Sequence, residues 1–424
     1  MRATLERPRG AGDAGAIDAT KRSRPDAAPE PERGRPPVLQ ALRVAFAGGG
    51  TGGHIVPGRH LLARGGVDLA DVLWFCTGRP VEARAFGGLD VELGRTPLAR
   101  VALALEPDGG GAPTLKRLAF RLAPAVLRAR RELREHRSEV LLGLGGFTTL
   151  PAVLAARSLG LPVAQLEINA SRGRATRALS PLAARVFHAW RTTLPSGGET
   201  SRDLWTGPPL APAFAGAAVT PESSERARAS IGFRPDRPLL VVLGGSQGAE
   251  SLNRFVASEI DVFLRQGLQV LHQTGPGRLE QGASERAGYR KLEFVDDVQS
   301  ALAAATVVLC RGGASTLAEV AAMRRPAFVV PYPHHADRHQ ERNARELGAG
   351  AQIVDQSRLG TSVAHELVLL TTPAGRAELA RRAHELERAL PLDAAERIWG
   401  ELSRLIAARR AISSARTRVT QPDR

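Results

Sequence analysis

A histidine closes a glycine-rich stretch near the beginning of the chain, where residues 47–54 read Ala-Gly-Gly-Gly-Thr-Gly-Gly-His. An imidazole titrates near neutral pH and can take a proton from a hydroxyl group. Glycines let a ligand approach the backbone, and a following helix start offers N–H groups to an anion. The stretch could hold a phosphate beside a general base, although a tight turn between a strand and a helix has the same composition.

The same pattern of an apolar run followed by a glycine-rich loop recurs along the chain, at residues 139–147, 239–249 and 306–316. Glu167 and Asn169 follow another apolar run, and Glu319 lies one turn into the helix predicted after the last loop. Ligands of open α/β sheets bind at the carboxyl ends of the strands. Glu319 is placed to accept both hydroxyls of a ribose, although a salt bridge on a helix surface is an alternative.

The elements that carry these loops alternate between buried strands and helices, which predicts an α/β protein of two facing, Rossmann-like, doubly wound domains with a cleft between them. We expect a disordered extension over residues 1–38, domains over 39–205 and 206–385, helices over 386–410 that pack back toward the first domain, and a disordered tail over 411–424. The extension is rich in Arg, Pro, Gly, Ala and Asp and has no hydrophobic period.

The amino-acid composition and the net charge limit the classes of partner that we expect. A chain of 424 residues with 43% hydrophobic and 24% charged residues is typical of globular proteins. The net charge is +15, and nearly all the positively charged side chains are arginines. Aromatic residues make up only 4%, and no basic stripe alternates with stacking side chains. Nucleic acid is therefore not expected as a partner, whereas anionic lipid or a phosphorylated substrate would suit the charge. No apolar run is long enough to span a bilayer.

One predicted helix, over residues 113–137, combines leucines with basic side chains that include Lys116, Arg117, Arg121, Arg128, Arg130 and Arg131. It is either a core helix with a solvated basic face or an interfacial patch that rests on an anionic membrane, burying Leu118 and Leu122. Periodicity alone does not separate the two alternatives.

The sequence does not favour a metal or a dinucleotide cofactor. No Asp-x-Asp occurs, so a metal-bridged diphosphate has no visible ligands, and the loop with His334, His335 and His339 is explained as well by a polar cleft wall. A dinucleotide fold would want an acidic residue at the end of the second strand, where residues 77–79 are Thr-Gly-Arg; this counts against an NAD enzyme, although an NADP enzyme could use Arg79. The two cysteines, Cys76 and Cys310, are far apart and are predicted to be buried thiols.

Several of these stretches resemble, in family order, those of the MurG family of peptidoglycan N-acetylglucosaminyltransferases, which belongs to glycosyltransferase family 28. The resemblance covers about residues 42–407 and rests on residues 48–58, 145–147, 244–249 with Leu252 and Asn253, 272–275, and 337–340 with Asn343. It implies a GT-B fold, UDP-GlcNAc as donor, and lipid I (undecaprenyl-pyrophosphoryl-MurNAc-pentapeptide) as acceptor, with lipid II as product. It also implies an inverting reaction without a cofactor and a peripheral location on the cytoplasmic face of the inner membrane, whose anionic surface would be a partner.

The resemblance also implies residue roles. His54 is the candidate general base and Glu167 its rival, while His54 could instead only orient its loop. Gly145, Gly146 and Phe147 would lie on the acceptor side. The residues expected to bind UDP-GlcNAc are Thr51, Gly52, Gly53, Asn169, Ser246, Asn253, Val295, Ala314, Ser315, Thr316, Glu319 and Gln340. Among them, Val295 would meet the uracil through its backbone, Glu319 the ribose, and Gln340 with Asn169 the sugar hydroxyls.

The chain departs from the family pattern at several places, among them Gly312 and Ser315. Residues 207–211 read Gly-Pro-Pro-Leu-Ala, so Ala211 stands where the family has an arginine near the donor phosphates. The strand that ends at Glu167 lacks the family's usual histidine and glutamine, and Phe147 replaces a tyrosine. These changes predict weaker donor binding unless another arginine such as Arg311 substitutes. They leave open a transferase with another acceptor, and a sugar-nucleotide-binding homologue with impaired catalysis.

Overall fold

The protein is described here by a computed structural model that defines residues 41–64, 66–103, 105, 115–214, 219–279, 286–334 and 337–420. The predicted extension over residues 1–38 lies outside this range. Within it, every helix is too short or too polar to traverse a lipid bilayer.

The first domain is built on a seven-stranded sheet whose paired strands are all parallel. Its strands are β1 (Leu42–Gly48), β2 (Leu69–Cys76), β3 (Leu98–Ala102), β4 (Val140–Gly145), β5 (Val163–Glu167), β6 (Arg185–His188) and β7 (Asp203–Trp205). Its helices are α1 (Gly52–Ala63), α2 (Glu82–Phe86), α3 (Leu89–Leu93), α4 (Leu115–Glu135), α5 (Thr149–Ser158) and α6 (Arg174–Leu179). The central strands are apolar throughout because helices cover both faces of the sheet.

The second domain has a six-stranded sheet, also with parallel pairing. Its strands are β8 (Leu239–Leu243), β9 (Gln269–Gln273), β10 (Tyr289–Leu292), β11 (Val307–Cys310), β12 (Ala327–Val329) and β13 (Ala351–Ile353). The helices that follow the first domain are α7 (Pro221–Ser230), α8 (Glu250–Arg265), α9 (Val298–Ala304), α10 (Ala314–Ala322), α11 (His339–Arg345), α12 (Thr361–Thr371), α13 (Arg376–Glu387) and α14 (Ala394–Thr420).

Strand order explains where ligands can bind. The first sheet runs β3-β2-β1-β4-β5-β6-β7, and the second runs β10-β9-β8-β11-β12-β13. In each sheet the order reverses direction between two neighbouring strands, β1 and β4 in the first and β8 and β11 in the second. The crevice outside such a switch point is the usual ligand site of doubly wound folds. The predicted fold class is confirmed, and all four glycine-rich loops follow these four strands.

The last helix belongs to the first domain. Its side chains at residues 395–406 join the same apolar cluster as Phe46 and Trp74. The indole Nε1 of Trp399 donates a 2.9 Å hydrogen bond to the carbonyl of Leu61. The packing of residues 386–410 against the first domain was expected as one unit and stays a prediction; Leu386 and Leu390 join the apolar cluster of the second domain, whereas α14 packs on the first.

The predicted disordered tail is wrong over residues 411–420, because α14 continues to Thr420. The physical reason is visible in the sequence, since no glycine or proline interrupts residues 401–421. Arg410 also anchors the helix, donating to both carboxylate oxygens of Glu139 at the start of β4, with Nε 2.6 Å from Oε1 and Nη2 2.8 Å from Oε2. The Ser/Arg/Thr composition of this segment, which is typical of disordered tails, does not prevent it from continuing the helix.

Candidate functional site

The two switch points open onto one cleft of about 1050 Å³. The first domain contributes the beginning of α1 and the segment after β5. The second contributes the loop before α8, the beginning of α10 and the segment that leads into α11. Of the residues predicted to bind or transform substrate, those that line this cleft are Thr51, Gly52, Gly53, His54, Asn169, Ser246, Ala314, Ser315, Thr316, Glu319 and Gln340.

His54 lies in the first turn of α1, and its ring is fixed by the backbone. Its Nδ1 is 3.0 Å from the carbonyl oxygen of Gly49 and 3.3 Å from the hydroxyl of Thr51. Because a carbonyl oxygen can only accept, the Nδ1–H donates to Gly49, and the neutral ring carries its lone pair on Nε2. Because Nδ1 carries the proton in this hydrogen bond, Nε2 is the ring nitrogen that can act as a base.

The loop after β4 packs directly on this ring. Gly145 and Gly146 both have positive φ angles, of 102° and 81°. A Cβ on Gly145 would lie 2.9 Å from Cδ2 of His54, and one on Gly146 would lie 3.0 Å from the carbonyl oxygen of Gly49. Only glycine fits at either position, so the predicted acceptor-side glycines also hold the histidine. The neighbouring Phe147 is 39% exposed.

Glu167 does not have the geometry of a general base. Its side chain is buried, and its two oxygens accept hydrogen bonds from the backbone N–H groups of Asn169, at 3.1 Å, and Gly173, at 2.7 Å. It therefore holds the loop after β5 in place and does not line the cleft. These contacts favour a structural role for Glu167, and its rival role as general base stays a prediction to be tested. Asn169, by contrast, faces the cleft.

The second-domain loop at residues 244–249 is held from below by Gln273. The amide of Gln273 donates to the carbonyl of Gly245 at 2.8 Å and accepts from the N–H of Val295 at 3.4 Å. Two of the residues predicted to contact the donor, Asn253 and Val295, lie behind the cleft wall, outside its lining. Asn253 hydrogen-bonds Thr274 and His272, so its side chain holds the end of β9 in place behind the cleft wall.

Helix α10 presents its start to the cleft. Gly313 occupies the N-cap position, and Ala314, Ser315 and Thr316 form the first turn, whose N–H groups suit an anion. Glu319 lies one turn further along the same wall. Burial raises the pKa of Glu319 from 4.5 to about 8, because the ionised carboxylate is poorly solvated at this position. A ligand that donates hydrogen bonds to this carboxylate would stabilise its ionised form.

Gln340 lies in the first turn of α11 and lines the same cleft. Its side-chain oxygen accepts from the N–H groups of Tyr332, at 2.9 Å, and Gly312, at 3.3 Å. The amide group is thereby oriented by two backbone donors. A Cβ on Gly312 would lie 2.2 Å from the carbonyl oxygen of Gln340, so this close approach requires glycine.

Ala211, which stands where the family has an arginine, lies outside the cleft. Ala211 packs against the apolar core of the second domain and does not line the cleft. Arg311 does line it, but its guanidinium already donates to the carbonyls of Val330 and Pro331 and to the side chains of Ser251 and Gln356. Within the described ranges no carboxylate lies within 4.0 Å of it. Arg311 therefore supplies positive charge to the cleft floor, while its terminal N–H groups hold the neighbouring loops.

The histidine-rich loop gives no sign of a metal centre among the residues that the structure describes. His339 pairs with Asp337 at 2.7 Å, and His335 lies outside the described residues.

Two functional candidates escaped the sequence reasoning. An acidic residue expected at the end of β2 comes six residues after the strand ends, at Glu82, whose side chain turns back to Thr77 and Gly78. Arg84 of the first domain stacks on the ring of Phe294 in the second, with its guanidinium carbon 3.6 Å from the ring centroid, and lies 3.7 Å from Asp296. Neither contact has a sequence signal, because both depend on how loops fold back.

Comparison with known proteins identifies the architecture. The glycosyltransferase family 28 N-terminal domain matches residues 44–188, and the family 28 C-terminal domain matches residues 239–398. A Sorangium cellulosum protein named UDP-N-acetylglucosamine--N-acetylmuramyl-(pentapeptide) pyrophosphoryl-undecaprenol N-acetylglucosamine transferase is 38% identical over 389 residues, which are 87% of this chain and 90% of that protein. A protein of the same name from Shewanella amazonensis is 33% identical over 84% of this chain and 96% of its own length.

Solved structures agree with these matches. The crystal structure of Acinetobacter baumannii MurG superposes with a TM-score of 0.62 at 25% identity, covering 86% of this chain and 99% of that one. The calicheamicin glycosyltransferase CalG4 superposes with a TM-score of 0.60 at 16% identity, covering 87% of this chain and 100% of its own, which is a likeness of fold alone.

Proposed function

Since the chain belongs to glycosyltransferase family 28, we propose that it is a hexosyltransferase that moves GlcNAc from UDP-GlcNAc to lipid I and forms lipid II in peptidoglycan synthesis. The observation that carries this proposal is the 38% identity to a transferase of that name over 87% of the chain. The cleft suits a glycosyl transfer, because a histidine lies on one wall and a carboxylate with two loops that offer N–H groups to an anion lies on the other.

The proposed chemistry is a single inverting displacement. Nε2 of His54 takes the proton of the acceptor hydroxyl as its oxygen attacks the anomeric carbon of GlcNAc. The bond from that carbon to the diphosphate oxygen breaks, and UDP leaves with the electron pair. The support is the orientation of the imidazole, whose Nδ1–H is held by Gly49 so that Nε2 carries the lone pair.

The donor is proposed to lie on the second-domain wall. Ser246 and the start of α10 would hold the diphosphate through N–H groups, and Glu319 would accept the ribose hydroxyls. The positive field of Arg311 would partly offset the arginine that is absent at Ala211. Gln340 and Asn169 would address the sugar hydroxyls from the two sides of the cleft.

The acceptor is proposed to approach from the first domain, with Thr51, Gly52 and Gly53 beside its pyrophosphate. Helix α1 has no acidic residue in its first turn and no side-chain hydrogen bond at its N-cap, which favours an anion at this helix start. Gly145, Gly146 and Phe147 would border the acceptor.

Membrane association is proposed through α4. This helix buries Ala125, Ala129 and Leu133 against its own domain, whereas Phe120 and Leu127 are 85% and 67% exposed. We call Phe120 and Leu127, with the nearby Arg121 and Arg128, the α4 patch. Exposed apolar groups among arginines suit the cytoplasmic, anionic face of a membrane. The predicted anchor Leu122 is half-buried, and the side chain of Leu118 lies outside the described residues.

The proposal is tested by incubating the protein with radiolabelled UDP-GlcNAc and a lipid I analogue and identifying the product. We expect a β-linked disaccharide lipid, whose formation is lost in His54→Ala and in Glu319→Ala. Donor binding without transfer to any lipid would support a catalytically impaired homologue. Transfer to a different acceptor would support the proposed type of reaction but would show that lipid I is not the acceptor. A donor that neither binds nor raises the melting temperature would overturn the proposal.

A further inference from the structure

Glu82 is a buried carboxylate that lies beneath the first glycine-rich loop, 2% exposed at the start of α2. Its Oε1 accepts hydrogen bonds from the N–H of Gly50, at 2.5 Å, and from the N–H and hydroxyl of Thr77. Its Oε2 accepts from the N–H of Gly78 at 2.8 Å. No Lys, Arg or His side chain in the described ranges forms an ion pair with it. Three backbone N–H groups and one hydroxyl thus donate to Glu82, which suits a carboxylate, a group that only accepts hydrogen bonds when it is ionised.

One peptide group connects this carboxylate to the histidine. The N–H of Gly50 that points to Glu82 belongs to the same peptide unit as the carbonyl of Gly49. That carbonyl accepts the Nδ1–H of His54 at 3.0 Å. The peptide is rigid and planar, so fixing its N–H also fixes the direction of its C=O. Carboxylate, peptide and imidazole therefore form a continuous chain of hydrogen bonds.

Such a chain has an electrostatic consequence. A hydrogen bond from an N–H to a carboxylate polarises the peptide, and its carbonyl oxygen becomes a stronger acceptor. The stronger acceptor holds the Nδ1–H tautomer and stabilises the imidazolium that forms when Nε2 takes a proton. In catalytic triads a carboxylate contacts the imidazole directly, whereas here a peptide group lies between them.

We infer that Glu82 is a positioning residue of the transfer reaction, which acts through the peptide between Gly49 and Gly50 to set the tautomer and raise the basicity of His54. The inference rests on the proposed role of His54 as general base. It adds a third participant that touches neither substrate nor the reacting atoms.

Other ionisable groups surround this chain of hydrogen bonds, which we call the relay. A substitution that tests the relay must leave those groups unchanged. Beside Glu82, burial and then the carboxylate itself raise the pKa of the Cys76 thiol, and Arg100 lowers it. Across the cleft from His54 lie the charged and titratable groups of the second domain that line it, which are Glu250, Arg254, Arg278, Arg311, Glu319, Tyr332, His334, Asp337 and His339. None of these is altered by a substitution at position 82.

The test compares Glu82→Gln with the wild type. Gln can still accept from Gly50 but carries no charge, so the pKa of His54, measured by NMR with labelled histidine, should fall by about one unit. The acid limb of the kcat/KM profile should move to lower pH by the same amount, with KM for UDP-GlcNAc unchanged. The matched control is Glu92→Gln, which removes a carboxylate that pairs with Arg59 on α1 but does not touch the peptide. It should leave the profile in place.

A second measurement needs no variant, in case Glu82→Gln does not fold. Long-range ¹H–¹⁵N spectra of the wild type report the tautomer of neutral His54, and the relay requires the proton on Nδ1. A proton on Nε2, or a folded Glu82→Gln whose His54 pKa is unchanged, overturns the inference. If His54→Ala retains transfer, the base assignment itself fails. If His54→Ala is inactive and the pKa does not shift, only the relay fails.

Discussion

The side-chain oxygen of Asn343, in the second domain, accepts a 2.7 Å hydrogen bond from the backbone N–H of Ala170, in the first. The amide of Asn343 donates to Asn169 at 3.3 Å and to the carbonyl of Gly312 at 3.0 Å. Asn343 is fully buried, so one side chain joins a first-domain cleft residue to the segment before α10. The two walls of the cleft are therefore held in register at this point.

Replacement of Asn343 by Ala should destabilise the protein by about 1–3 kcal/mol, because the N–H of Ala170 would be left buried without an acceptor. It should also raise KM for UDP-GlcNAc, since Asn169 loses its support. Urea unfolding and initial-rate kinetics measure the two effects. The exposed neighbour Arg342, replaced by Ala, is the control on the same helix. An Asn343→Ala protein with unchanged stability would contradict this account.

Replacement of His54 by Ala should lower kcat by about 10²–10⁴-fold, the usual contribution of a general base, and leave donor affinity nearly unchanged. Single-turnover transfer and calorimetric titration with UDP-GlcNAc separate the two quantities. His384→Ala, at an exposed position on α13, controls for loss of an imidazole. Retained transfer in His54→Ala would mean that the ring only orients its loop.

Replacement of Glu167 by Gln should cost much less activity than loss of His54, because Glu167 holds the loop after β5 through two backbone N–H groups. One of those N–H groups would then face an amide donor, so we expect a loss of stability of about 1–2 kcal/mol. The pH profile of kcat/KM should keep its acid limb. A folded Glu167→Gln as inactive as His54→Ala would restore Glu167 as the base.

Replacement of Glu319 by Gln should change how stability depends on pH. Burial raises the pKa of Glu319 to about 8, so the native state keeps a proton that the unfolded chain releases near pH 4.5. Native stability therefore falls as pH rises between these values, and each unit of difference is worth about 1.4 kcal/mol. Relative to wild type, Glu319→Gln should gain stability from pH 5 to pH 8, by at least about 1 kcal/mol in urea unfolding.

The same carboxyl should make donor binding depend on pH. Ribose hydroxyls donate to the ionised carboxylate, so the affinity for UDP-GlcNAc should increase as pH rises from 6 to 8.5 in the wild type. Glu319→Gln should bind more weakly and show a flatter dependence. Equal pH dependence in the two proteins would show that Glu319 does not meet the donor.

Substitution of Phe120 and Leu127 by Ser should weaken sedimentation with anionic vesicles, because these are the exposed apolar groups of the α4 patch. The matched control is Leu369→Ser, which removes a leucine that is 61% exposed in the second domain. Binding should also fall as salt concentration rises, since arginines contribute. Unchanged sedimentation of the double variant would refute the patch.

The sequence was informative wherever the chemistry of a position depends on its immediate neighbours. Apolar runs that end in glycines predict both sheets and their switch points, because strands buried on both faces are apolar throughout. The roles of Glu167 and Glu82 could not be predicted in this way. Each depends on a loop that turns back upon a strand end, and a carboxylate that binds backbone N–H groups has the same sequence signature as one that faces a ligand.

The return of α14 to the first domain has a consequence for biosynthesis. Trp399 contacts Leu61 and Phe46, so the first sheet completes its core only with residues made after the second domain. The strands of the second domain, from Leu239 to Ile353, leave the ribosome before that helix does. The domain encoded first is thus finished second, and until then its apolar face must stay uncovered and prone to association. A chain truncated before residue 394 should therefore keep a complete second domain and a first domain that aggregates.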